Sequence, residues 1–132
     1  MRWPRRMILP RDPTTWPALA LALALAALGL VFIAAPGWGA AIFGLPPPEG
    51  AALAYIPVVG LRDLAFAGYL LGLVWRGDRD AAALVLAVTL LIPLGDMTIL
   101  LAARGPDAGW HLLPHAASAA AVAGAWRILR AG

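Results

Sequence analysis

Residues 51–75 read AALAYIPVVGLRDLAFAGYLLGLVW. The run is apolar over a length sufficient to cross a bilayer, which takes roughly 20 residues. Near its middle it carries Arg62 and Asp63 side by side. One charged side chain at that depth costs roughly 2.5–3.5 kcal/mol on insertion scales. Two in succession require partners, water or a function. The stretch therefore reads as a membrane span built around a polar site.

The remainder of the 132-residue chain agrees. Hydrophobic residues make up 62% of it and charged residues 13%, where a soluble domain carries about 25% charged. A single integral membrane domain over residues 1–132 is expected. The absence of cysteine excludes disulfide and thiol chemistry. All ten basic residues are arginines that mostly flank apolar runs, so the net charge of +3 marks topology and not nucleic-acid binding. The Ala, Leu, Gly and Pro bias suits a GC-rich bacterial genome.

Four spans follow from the apolar runs. Residues 1–13 form a basic arm with Arg2, Arg5, Arg6 and Arg11, and the first span covers about 16–35. Its apolar stretch exceeds the 7–15 residues of a signal-peptide core, so it reads as an uncleaved anchor. Residues 36–50 offer Trp38, Ile42, Phe43 and Leu45 before Pro46-Pro47-Pro48, a short segment suited to the headgroup layer. The second span, 51–75, presents Ala65, Gly68 and Gly72 as a face for close helix approach. A tight charged turn at 76–80 forces the third span, about 81–103, to run antiparallel beside it. Pro93 in that span cannot donate a hydrogen bond and clashes with the carbonyl of Thr89, which predicts a kink beside Asp96. The fourth span covers about 110–129 and holds His111, Pro114 and His115. Arginine is concentrated in the N-terminal arm, the 76–79 turn and residues 127–130, with only Arg104 on the opposite side. The positive-inside rule then puts both termini in the cytoplasm of a bacterial inner membrane. The expected fold is all-α: a four-transmembrane-helix bundle with a short interfacial segment between helices 1 and 2.

Depth arithmetic gathers the polar residues. From a turn tip at Asp78, Arg62 lies 16 residues back and Asp96 lies 18 ahead, a difference of roughly 3 Å at about 1.5 Å per residue. From a second tip at Pro106, Asp96 is 10 back and His115 is 9 ahead. Arg62, Asp63, Asp96 and His115 thus share one layer, with His111 about one turn nearer the outer face.

Such a layer suits acid–base chemistry on a lipophilic molecule. One carboxylate, held ionised by Arg62, would serve as base and the other as acid, with His115 carrying the proton. Asp63, Asp96 and His115 are the candidate catalytic residues; Arg62, His111 and Tyr69 are candidate binding residues. Because neighbours on a helix point about 100° apart, the expected central pair is Arg62 with Asp96, leaving Asp63 to face a ligand. No nucleophile motif appears. A metal set of His111, His115 and Asp96 is set aside, because Pro114 starts the helix and leaves His111 in the preceding turn; no cofactor is implied. The expected partners are the bilayer, a lipophilic small molecule and a second copy of the chain. The competing reading is a non-enzymatic accessory subunit whose ion pairs only fix helix packing.

Several of these segments form a recognisable set: Phe43-Gly44-Leu45-Pro46, Gly60-Leu61-Arg62-Asp63-Leu64, Arg76-Gly77-Asp78-Arg79, Pro93-Leu94-Gly95-Asp96, and His115 in the last helix. Over residues 36–130 the chain resembles the small four-helix integral membrane proteins grouped as domain-of-unknown-function family number four-two-six-seven. The resemblance implies that topology and no particular reaction. His111 and Pro114 fall outside the pattern.

Overall fold

The computed structural model describes residues 12–131; the arginines of the N-terminal arm lie outside the described residues. Asp12 opens the fold as a cap: its Oδ1 accepts from the Thr14 amide at 2.9 Å, and the turn Pro13–Thr15 leads into α1, Trp16–Ala34. The Ala/Leu composition makes α1 apolar all round, so composition cannot say which face packs. Packing selects a stripe of mostly small residues, Ala18, Ala22, Gly29 and Phe32. Leu23 and Leu30 stay exposed.

After Ala35, Pro36 starts the short helix α2, Pro36–Phe43, which ends at Gly44 with a φ of 101°. That left-handed conformation favours glycine. The expected short segment between the first two long helices is therefore helical. A 3-10 stretch, Gly50–Tyr55, leads into α3, Ile56–Arg76, with Pro57 harmlessly in the first turn. Buried positions on α3 are Gly60, Asp63, Ala67, Leu70 and Val74, an alternating three–four spacing that defines one face.

That face meets α1 through glycine. A Cβ added to Gly60 would sit 2.5 Å from the Gly29 carbonyl oxygen, and one added to Gly29 would sit 2.7 Å from the Gly60 oxygen. The two backbones touch directly, as small residues allow. The expected close-approach face of Ala65, Gly68 and Gly72 is a correction: nothing lies within 4 Å of a Cβ at Gly68 or Gly72, and all three residues are exposed. They fall off the 60-63-67-70-74 stripe, the buried face that sets the orientation of α3.

Gly77, also left-handed, turns the chain into α4, Arg79–Thr89, capped by Asp78. The expected third span is two helices, α4 and α5 (Leu91–Arg104), joined end to end at Leu90. The break lies where Pro93 denies Thr89 its hydrogen bond. The Thr89 hydroxyl donates instead to the Val85 carbonyl at 2.7 Å. A 3-10 segment, Gly105–Leu112, then reverses the chain into α6, Leu113–Ala131, which returns beside α5 and α4.

Polar ties fix both ends. At one end Arg79 pairs with Asp12 and donates to the Leu129 carbonyl at 2.7 Å, joining the start of α1, the start of α4 and the end of α6. Here lies a core of Ala18, Ala22, Leu70, Leu86, Val122 and Leu129. At the other end Arg104 donates to the Gly44 carbonyl at 2.6 Å. Three helical stretches are long and apolar enough to cross a membrane: Pro13–Ala34, Gly50–Arg76 and the bent, 53-residue Arg79–Ala131.

Candidate functional site

Between these ends is a cavity of about 100 Å³. Its apolar wall includes Phe32 of α1 and Ile42 and Phe43 of α2. Its polar wall is formed by Arg62 and Asp63 of α3, Asp96 of α5, and His115 and Ser118 of α6. The Gly29–Gly60 contact brings α3 against α1 one turn before Asp63. The Leu90 break starts the short helix that carries Asp96 one turn beyond Pro93.

The ionisable groups resolve into two pairs. Arg62 donates through Nε and Nη2 to the same oxygen, Oδ1 of Asp63, at 3.1 and 3.0 Å. Asp63 is only 3% exposed, so its charge needs a partner at contact distance. Across the cavity, His115 Nδ1 lies 3.4 Å from Asp96 Oδ2. The expected Arg62–Asp96 pair, with Asp63 left to the ligand, is corrected by this arrangement. The 100° offset applies to Cβ directions. The arginine stem is long enough to bend around the helix to its neighbour, and Asp96 already has His115 opposite.

His115 also contacts α2. Its Nε2 lies 2.9 Å from the Phe43 carbonyl oxygen, and its ring meets the Phe43 ring edge-on at 5.0 Å. Phe43 ends its helix, where carbonyls lack intrahelical partners. His115 and Arg104 supply donors to two successive ones, Phe43 and Gly44.

A carbonyl oxygen only accepts, so the imidazole donates to Phe43 through Nε2. Its Nδ1 faces Asp96 Oδ2 at 3.4 Å, beyond ordinary hydrogen-bond length. A carboxylate and an imidazole so placed can hold a proton between them, and one proton there would balance the site, since Arg62 and Asp63 offset each other.

Two other expected site residues lie elsewhere. His111 is in the 3-10 segment before α6, stacked on Trp110 at 3.9 Å and packed against Gly44, and does not line the cavity. Tyr69 is 59% exposed and meets Phe66 edge-on at 6.1 Å, off the buried face of α3. Among the described residues, no group of three or more His, Asp or Glu is placed to hold a metal ion. Sequence reading missed Ser118 and the Phe43 carbonyl. The three-residue step from His115 to Ser118 places the serine on the same helical face and was a readable signal. The carbonyl had none.

A family model described as "Domain of unknown function (DUF4267)" matches residues 22–129, a stretch that includes every ionisable residue of the cavity. No curated protein and no solved structure matches the chain.

Proposed function

The chain belongs to the DUF4267 family, a description that assigns no activity, and from its site we propose a multi-pass membrane protein that binds a lipophilic small molecule in an intramembrane polar pocket. The observation that carries this is the convergence of Arg62, Asp63, Asp96 and His115 on one cavity whose other wall is apolar. A pocket of that character suits a molecule with a polar head and a hydrocarbon body. The Asp96–His115 pair, a carboxylate 3.4 Å from an imidazole, is equipped to give a proton to such a head or accept one from it.

The membrane reading has four spans, α1, α3, α4–α5 and α6, with both termini in the cytoplasm. The contacts of Arg79 with Asp12 and Leu129 favour it, because they bring the start of α1, the α3–α4 turn and the end of α6 to one end. Such an arrangement supports an even number of crossings. Exposed tryptophans also favour it: Trp16 and Trp75 near that end, Trp38 and Trp110 near the other, as in interfacial belts. Arginine bias assigns the first end to the cytoplasm.

A second reading has its own support. Each charge in the cavity has a partner, so the two pairs are adequate to fix helix register without any ligand. Thermal melts in nanodiscs separate the two. A lipophilic ligand at 100 times its Kd raises stability by about 2.7 kcal/mol. The binding reading predicts such a shift for single-chain amphiphiles and its loss in Asp96→Asn. If no amphiphile shifts the melt, while Asp63→Asn and Asp96→Asn each lower it, the structural reading stands.

A further inference from the structure

We propose that the pocket is specific for a single-chain amphiphile with a carboxylate head, bound together with one proton. The proposal rests on the pocket reading above and names its ligand class. Size comes first. At about 100 Å³ the cavity is smaller than the roughly 300–1,000 Å³ of a site that encloses a drug-sized ligand. It is nearer the about 150 Å³ that holds benzene. A head group of a few heavy atoms fits. The body of the ligand would leave past Ile42, which is exposed on the apolar wall, into the hydrocarbon layer.

Donor chemistry selects the head. A guanidinium has five N–H donors in a planar fork. Arg62 gives two of them to a single oxygen of Asp63 and makes no other hydrogen bond among the described residues. Its side chain is 35% exposed and lines the cavity. The unused edge matches a carboxylate in shape and charge. Ser118 adds a hydroxyl to the same cavity.

Charge balance supplies the proton. With one proton in the Asp96–His115 pair, the empty site is neutral. A carboxylate alone would leave an uncompensated negative charge in an apolar setting, a costly state. A second proton on the pair, giving neutral Asp96 beside an imidazolium, restores neutrality. An acid arriving from the bilayer brings that proton itself: its O–H bond breaks, the proton passes to the pair, and the carboxylate stays with Arg62. A carboxylate arriving from water takes the proton from solvent. No other bond changes. The ionisable groups facing the pair are Arg62 and Asp63 of α3; α1 and α2 contribute none. His111 and Arg104 lie on the far side, at Gly44.

The test uses the full chain in nanodiscs, with empty nanodiscs subtracted. Hexadecanoic acid, hexadecanol and hexadecylamine are compared by calorimetry in two buffers of different ionisation enthalpy, which counts protons. The acid, supplied as its ionised salt so that it arrives as the carboxylate, is expected to bind at least about tenfold more tightly than the alcohol, with uptake of about one proton from buffer, and the amine more weakly than either. The double variant Arg62→Gln/Asp63→Asn removes both charges and strands neither; it should lose the preference for acid, the ratio of acid to alcohol affinity falling to about one. Equal or tighter binding of alcohol or amine overturns the carboxylate assignment while leaving the pocket reading intact. Acid binding without proton uptake overturns the co-binding. If none of the three binds, the proposal and the pocket reading fall together.

Discussion

Gly60→Ala tests the contact that positions α3 against α1. The new methyl would lie 2.5 Å from the Gly29 carbonyl oxygen, 2.8 Å from Ile33 Cγ1 and 3.0 Å from Phe32 Cβ. The nearest obstacle is backbone, so no side-chain rotation relieves it. Restoring ordinary contact needs the helices to part by about 0.9 Å at this point, and overpacking of this kind costs about 1–3 kcal/mol. Gly68→Ala and Gly72→Ala are the controls, because nothing lies within 4 Å of either added methyl. Each should be neutral, or stabilising by up to about 1 kcal/mol from helix propensity. Denaturant titration in mixed micelles, followed by circular dichroism, measures all three. Because Phe32 lines the cavity, Gly60→Ala should also weaken any ligand-induced stabilisation. If Gly60→Ala is harmless while Gly68→Ala or Gly72→Ala is destabilising, then the Gly68–Gly72 face of α3 is its real packing surface and the Gly29–Gly60 contact is refuted.

Three further outcomes are expected. In a double-mutant cycle, Asp96→Asn and His115→Gln should couple by about 0.5–3 kcal/mol, as residues in contact do; additive effects would contradict a direct interaction across their 3.4 Å contact. Arg104→Gln should speed amide exchange at Gly44 and Leu45 and leave the middle of α6 unchanged, since it removes the donor to the Gly44 carbonyl; unchanged exchange at Gly44 would show that α2 is held some other way. Hydrogen bonds from the Thr14 side chain and backbone, and then the charge of Arg79, hold Asp12 below its ordinary pKa of 3.8. A depressed carboxylate contributes stability that is present above the unfolded value and lost as pH falls through the folded one. Asp12→Asn should therefore flatten the acid limb of the stability–pH curve below about pH 4; an unaltered limb would refute the cap.

Layers were legible in the sequence, and contacts were not. The position of Arg62, Asp63, Asp96 and His115 in one layer follows from helical rise and two turn positions, which are one-dimensional quantities. Pro93 announced the Leu90 break because a missing N–H acts locally. Partner choice is different. Arg62 pairs with Asp63 because a flexible stem ignores the angle between Cβ vectors, and Asp96 is taken by a residue on another helix. The packing face of α1 was unreadable, since an Ala/Leu helix presents similar chemistry on every side and only Gly29 marks the contact. On α3, Gly68 and Gly72 advertised an approach that Gly60 makes. The role of the Phe43 carbonyl depends on where α2 ends in space, information that spacing does not carry.

The most direct test of an intramembrane ligand pocket is to map where a ligand sits. A single-chain amphiphile with a diazirine near its head group would be photolysed with the protein in nanodiscs, and the labelled residues identified by mass spectrometry. Labels should concentrate on the cavity wall, at Phe43, Asp63, Asp96 and His115, and be displaced by excess unlabelled amphiphile. Labelling spread over the exposed positions Leu61, Tyr69, Leu94 and Ile99, and undiminished by competitor, would contradict the pocket and leave the four ionisable residues as a packing device.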